Sequence, residues 1–141
     1  MIGDSLPKAI GPALNGSIGS VPGTDSSGNA KYAELAKAAG FESGPYGPES
    51  YDAAALIMLA MQSAKSTDSN VFKNNIMDIA NAPGEKIFPG ELGKAIKLIK
   101  EGKDIDYVGA TALELVGSGE SAGSFAEILI DNQKTNKVGY R

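Results

Sequence analysis

The chain has 141 residues, with 13 basic and 17 acidic side chains that give a net charge of −4 at neutral pH. It contains no histidine and no cysteine, which excludes a thiolate nucleophile, a histidine base and a zinc site of His and Cys ligands. The charges form no basic stripe, so the composition indicates neither nucleic acid nor an anionic membrane as a partner.

The spacing of apolar residues predicts helices and strands in the following order. Helices are expected at 5–10, 30–39, 51–66, 66–81 and again after Pro89-Gly90. Strands are expected at 17–21, at 113–115, at 125–130 and at 137–140, the last two joined by the polar turn 131–136. Helices therefore dominate the middle of the chain and strands its end, and the class is α/β or α+β.

The helix predicted at 51–66 is the most apolar element of the chain. Residues 53–61 are apolar without interruption, so we expect this helix to be covered on most sides. The run is about half the length that a bilayer span requires, so no membrane insertion is predicted. The glycine- and proline-rich stretch 43–48 before it reads as a junction between structural units.

One short motif raises the possibility of an enzyme. Residues 119–123 (GESAG) match the G-x-S-x-G pattern of hydrolases, in which Ser121 would be the nucleophile. The chain has no histidine to act as its base, and strand-like sequence follows where a helix is required. A glycine-rich loop is the favoured interpretation, and a serine hydrolase using Ser121 is kept only as an alternative.

Four segments in a fixed order carry a resemblance to a known family. They are 44–53 (GPYGPESYDA), 66–68 (STD), 88–95 (FPGELGKA) and 102–110 (GKDIDYVGA). Together they resemble the C-terminal third of substrate-binding proteins of branched-chain amino acid ABC transporters, the Leu/Ile/Val-binding type. The resemblance covers nearly the whole chain, although 116–120 departs from the family's usual turn sequence.

The resemblance implies an α/β fold that is the C-terminal portion of a two-lobed type I periplasmic-binding-protein fold. By that comparison, 1–44 would end the second lobe's main segment, 45–118 would return to the first lobe, and 119–141 would form a C-terminal hairpin of the second lobe. The stretches 43–48 and 117–123 would be hinge crossings. The family is much longer, so we expect the missing part, including a signal peptide, upstream of Met1.

The same resemblance implies a binding protein and not an enzyme, with no catalytic residue, cofactor or metal ion. It would close on a branched-chain or related amino acid or amide and then dock to the membrane permease of an ABC transporter. The expected location is periplasmic or extracytoplasmic, and no nucleic-acid partner is expected. A ligand-sensing domain of a regulator or receptor with the same fold is the alternative.

Four residues are candidate ligand contacts by this resemblance. Tyr46 matches an aromatic position that packs against the ligand side chain in the family, and Glu49 and Tyr51 lie nearby in the sequence. The acid that pairs with the ligand's ammonium group would fall at or just before Asp4. The isolated 141-residue chain is expected to bind amino acids weakly or not at all, because other ligand contacts lie in the missing part.

Overall fold

A computed structural model describes residues 5–141, which form two compact units. The helices are α1 (Ser5–Ile10), α2 (Ser27–Ala38), α3 (Gly47–Ala64), α4 (Ser69–Phe72), α5 (Ile76–Ala80) and α6 (Leu92–Lys100), with 3-10 turns at Gly11–Leu14 and Lys73–Asn75. The strands are β1 (Ile18–Pro22), β2 (Glu85–Ile87), β3 (Ile105–Tyr107), β4 (Leu115–Val116), β5 (Glu120–Ser121), β6 (Phe125–Asp131) and β7 (Lys134–Tyr140).

The smaller unit comprises the described residues up to Asp25 together with Gly123–Arg141. Its antiparallel sheet has the order β1-β6-β7, and β6 lies in the middle with Ala126, Ile128 and Ile130 buried on one face. The predicted hairpin is confirmed, although its turn is shorter than expected. Asn132 and Gln133 both have positive φ values, as a two-residue type I′ turn requires.

The larger unit, Ser26–Ala122, contains a parallel pair of strands, β2 and β3, covered by helices. Its core joins α3, α5 and α6 to this pair, and the strands contribute Ile87, Ile105 and Tyr107. Both strands were missed by the sequence analysis. Each is three residues long, which is too short for an alternating pattern to be distinguished from loop sequence.

The central helix α3 is confirmed, but the expectation that it is covered on most sides is wrong. Leu56 and Leu59 are buried, whereas Ile57 is 41% exposed and Met58 is 51% exposed. Burial repeats with the helical period because α5 and α6 pack on one side of α3. In the described residues, the opposite side keeps its apolar side chains exposed.

The single helix expected at 66–81 is also wrong, since α4, a 3-10 turn and α5 share that stretch. The asparagines of the 3-10 turn explain the break. The Asn74 side chain donates to the carbonyl groups of Asn70 and Val71, and Asn75 donates to Ser63 Oγ. Such side-chain hydrogen bonds compete with regular helix.

The helix α2 begins at Ser27, three residues earlier than predicted, because Ser26 caps it by accepting a hydrogen bond from the amide of Asn29 at 3.2 Å. This helix belongs to the larger compact unit, which ends at Ala122. The two compact units meet after Asp25 and after Ala122. The lobe boundaries expected after 44 and after 118 stay a prediction. Which lobe of a longer protein each segment belongs to stays a prediction.

Candidate functional site

A groove of about 650 Å³ lies in the larger unit, between α2, the loop after it and the first turn of α3. It is lined by Tyr32, Leu35, Ala36, Ala39, Phe41, Gly44, Pro45, Tyr46, Gly47, Ser50 and Tyr51. None of these side chains is charged, and most are apolar or aromatic. A concave apolar surface of this size is typical of small-molecule sites.

Two tyrosines form a fixed part of the groove. The rings of Tyr32 and Tyr51 are 5.5 Å apart between centroids and tilted by 60°. The Tyr32 hydroxyl is hydrogen-bonded to Ser43 Oγ at 3.0 Å, and the Tyr51 hydroxyl accepts from the Gly90 amide at 3.1 Å. Because each ring is held at both its face and its hydroxyl, this part of the groove is preformed.

Two other aromatic rings at the groove are open to solvent. Tyr46 is 50% exposed and Phe41 is 58% exposed. Exposed rings at a concave surface retain apolar area that a bound molecule can cover.

The backbone at Gly47 packs closely against the side chains of Ser43 and Tyr32. A Cβ atom at Gly47 would lie 2.1 Å from Ser43 Oγ and 2.6 Å from the Tyr32 hydroxyl. Only glycine fits there without moving the side chains that fix the groove. Pro48 follows in the first turn of α3, where its missing N–H costs no helical hydrogen bond.

The structure thus brings two of the predicted ligand residues, Tyr46 and Tyr51, to one groove. Glu49 is half-buried and is not part of the groove lining. Asp4 lies outside the described residues. The roles of all four in binding stay predictions.

The sequence analysis missed Asp52, the most connected polar residue of this region. It is 2% exposed and accepts four hydrogen bonds. Their donors are the Tyr107 hydroxyl at 2.9 Å, the Ala110 amide at 2.8 Å, the Thr111 amide at 2.8 Å and Thr111 Oγ1 at 2.7 Å. A buried carboxylate is tolerated when such donors satisfy its oxygens.

Asp52 also holds together a tight junction of three segments. A Cβ at Gly109 would lie 2.4 Å from Asp52 Oδ1, and a Cβ at Gly28 would lie 2.0 Å from the Gly109 carbonyl oxygen. The loop after β3 is therefore clamped between α3 and the start of α2 by two glycines. We call Gly28, Asp52, Tyr107, Gly109 and Thr111 the Asp52 junction.

Burial raises the pKa of the Tyr107 hydroxyl well above its usual range, and the neighbouring Asp52 carboxylate raises it further. The hydroxyl therefore stays protonated and continues to donate to Asp52 in ordinary buffers. A pattern in the sequence could have placed Asp52 here. It precedes Ala55, Leu56 and Leu59 at helical spacing and so falls on the buried face of α3.

The structure does not give Ser121 the setting of a nucleophile elbow. Ser121 is exposed in β5, which pairs with β4 in a short antiparallel hairpin. A hydrolase elbow places its serine on a sharp turn between a strand and a helix. The loop interpretation of 119–123 fits this geometry better than the hydrolase alternative does.

Among residues 5–141, no helix is both long and apolar enough to span a membrane. In the same part of the chain, no cluster of three acidic side chains is arranged to hold a metal ion.

Comparison with known proteins identifies the fold of the chain. No family model matches the sequence. The chain is 30% identical over 103 residues to the chemotactic signal transduction system substrate-binding protein BasB of Halobacterium salinarum. The matched region covers 68% of this chain and 25% of BasB.

A solved structure shares the fold over almost the whole chain. It is the leucine-binding protein LivK of Thermotoga maritima, with a TM-score of 0.65 and 15% identity. The match covers 97% of this chain and 34% of LivK. The chain therefore has a partial type I periplasmic-binding-protein fold of mixed α/β class, as the sequence predicted, and it spans about a third of LivK and a quarter of BasB.

Proposed function

We propose that these residues are part of a solute-binding protein that holds a small amino acid or amide for an ABC importer. The observation that carries the proposal is the uncharged aromatic groove at Tyr46 and Tyr51, on a chain with the fold of a leucine-binding protein. Both similar proteins are binding proteins by name, which supports a non-enzymatic role. By the same likeness, the protein acts outside the cytoplasmic membrane and delivers its solute to a permease.

The lining of the groove suits the apolar side chain of a solute but not its charged groups. An apolar solute side chain gains from covering the Tyr46 ring, whereas no charged group in the groove lining would pair with an ammonium or carboxylate. The charged ends of an amino acid are therefore held by other residues. Asp4 and the part of a longer protein that these residues do not include are the proposed sources.

The test measures leucine binding by titration calorimetry to the protein expressed from its complete reading frame, followed by isoleucine, valine and aliphatic amides. Replacing Tyr46 with alanine removes an open ring from the groove, so we expect affinity to fall by about tenfold or more, as for a well-placed aromatic contact. Tyr140→Ala is the matched control, because Tyr140 is also a partly exposed tyrosine but lies in β7. Equal affinities of both variants and the parent would exclude the groove from the site.

A sensory function is the second candidate, because BasB is named as part of a chemotactic signal transduction system. A sensor would bind the same solute through the same groove and pass it to a signalling receptor instead of a permease. Uptake of radiolabelled leucine and migration towards leucine, both measured in a strain that lacks the gene, separate the two. Loss of uptake supports the importer, whereas loss of migration with normal uptake supports the sensor.

A further inference from the structure

Aromatic residues are concentrated at the groove described above. The chain has five tyrosines and four phenylalanines, and four of these residues line this one surface: Tyr32, Phe41, Tyr46 and Tyr51. Among the described lining residues, Leu35 is the one large aliphatic side chain. The lining is therefore dominated by rings and not by the branched aliphatic side chains that a leucine or valine pocket could equally use.

The groove is also larger than an aliphatic side chain requires. Its volume of about 650 Å³ falls within the range of about 300–1,000 Å³ that is typical of sites for drug-sized molecules. A leucine side chain is a single short branched chain of carbon atoms, so it would leave much of this space to water. A ring fills more of the space and covers more of the exposed aromatic surface.

The electrostatic character of the lining favours a ring as well. Aromatic rings have a negative face and a positive edge, so they prefer tilted or offset contacts with other rings. Tyr32 and Tyr51 already meet in such a tilted contact. Among residues 5–141, neither Phe41 nor Tyr46 makes a contact of this kind, and both rings are at least half exposed. Their partial charges are complementary to a further ring, whereas the uncharged lining offers no partner to a full charge.

We propose that the solute held in this groove carries an aromatic ring that packs against Phe41 and Tyr46, so that aromatic amino acids or their amides are preferred over branched-chain ones. The proposal rests on the solute-binding function proposed above and narrows its solute class. An aliphatic side chain in the same groove gains only from the burial of apolar area. An aromatic ring gains from that burial and from its contacts with the two open rings.

The test compares three amino acids by titration calorimetry on the protein expressed from its complete reading frame. Phenylalanine carries the ring, cyclohexylalanine carries a side chain of similar size without aromatic character, and leucine is the aliphatic reference. We expect phenylalanine to bind about tenfold more tightly than leucine, and about threefold or more tightly than cyclohexylalanine, because ring contacts add to the buried area.

A substitution then assigns the preference to the groove. Phe41→Leu keeps an apolar side chain and removes the ring, so the ratio of phenylalanine affinity to leucine affinity should fall about threefold or more. Phe125→Leu is the matched control, because Phe125 is also a partly exposed phenylalanine but lies in β6 of the smaller unit. Tyr46→Leu repeats the measurement, so that a misfolded Phe41 variant does not decide the outcome.

The solute-binding function and its aromatic preference can fail separately in this experiment. If the parent protein binds leucine or cyclohexylalanine as tightly as phenylalanine, the aromatic preference is wrong while the solute-binding function stands. A preference that persists in both Phe41→Leu and Tyr46→Leu would likewise overturn the inference, because the ring would then be recognised elsewhere. A parent protein that binds none of the three amino acids would contradict the proposed function itself, and the inference with it.

Discussion

Tyr51 and Asp52 are neighbours on α3, yet they belong to two regions that differ in burial and in hydrogen bonding. Tyr51 lines a groove in which every side chain is uncharged and rings such as Tyr46 stay open to solvent. Asp52 is buried, and four donors satisfy its two oxygens. Hydrogen bonding is complete at the Asp52 junction, while apolar surface remains uncovered at the groove. The difference fits a junction that holds the fold together and the proposal above that the groove binds a solute.

The largest expected effect comes from removing the carboxylate of the junction. Asp52→Ala leaves the Tyr107 hydroxyl and the amides of Ala110 and Thr111 without their acceptor inside the protein. Because each buried donor left unpaired costs about 1–3 kcal/mol, we expect the free energy of unfolding to fall by about 3–5 kcal/mol in urea denaturation. Asp78→Ala, at an exposed position of α5, is the control and should change stability by about 0.5 kcal/mol or less. A similar small effect at Asp52 would contradict a structural role for the junction.

The next effect separates steric contact from backbone strain. Gly109 and Gly102 both have positive φ values, of 60° and 71°, but a Cβ would meet Asp52 Oδ1 at 2.4 Å only at Gly109. Gly102 has nothing within 4 Å of that position. Gly102→Ala should therefore cost about 1–2 kcal/mol, from the left-handed conformation alone. Gly109→Ala should cost at least about 2 kcal/mol more in the same urea titration, because it also displaces the carboxylate. Equal losses would mean that the junction adapts to the extra atom.

A third effect uses the raised pKa of Tyr107. An unfolded tyrosine ionises at about pH 10, whereas burial and Asp52 raise the pKa of Tyr107 in the folded protein. The folded state then binds more protons than the unfolded state above pH 10, so stability present below that pH is lost as pH rises. We expect Tyr107 to contribute a fall of about 1.4 kcal/mol per pH unit there. The free energy of unfolding, measured from pH 8 to 11, should lose this contribution in Tyr107→Phe and keep it in Tyr140→Phe.

The sequence predicted the two elements with the clearest patterns well. The alternation at 125–130 and the apolar run at 53–61 located β6 and α3, and the ordered motifs led to the fold that the LivK comparison confirms. The three-residue strands β2 and β3 carry too few positions to show a period. Their pairing depends on contacts between segments about 20 residues apart in the sequence, which local propensity does not encode.

The candidate site was predictable in part, for a similar reason. Tyr46 and Tyr51 were found because they lie in a recognisable loop and helix start, and the structure places both at one groove. The other side of the groove comes from α2 through Tyr32 and Leu35, which only tertiary packing brings near. Asp52 was not among the predicted site residues. Its real partners, Tyr107 and Thr111, lie more than 50 residues away in the sequence.

The smallest expected effect on stability is also the strictest test of the difference between the groove and the Asp52 junction. Tyr46 is half exposed and its hydroxyl has no hydrogen-bond partner among residues 5–141, so Tyr46→Ala removes little that the folded state uses. We expect the free energy of unfolding to change by about 0.5 kcal/mol or less, while leucine affinity falls as proposed above. Tyr51→Phe is the companion variant. It keeps the ring and removes the acceptor for the Gly90 amide, so it should cost about 1 kcal/mol of stability. A Tyr46 variant that unfolds more easily than the Tyr51 variant would show that the groove, like the junction, is there to hold the fold together.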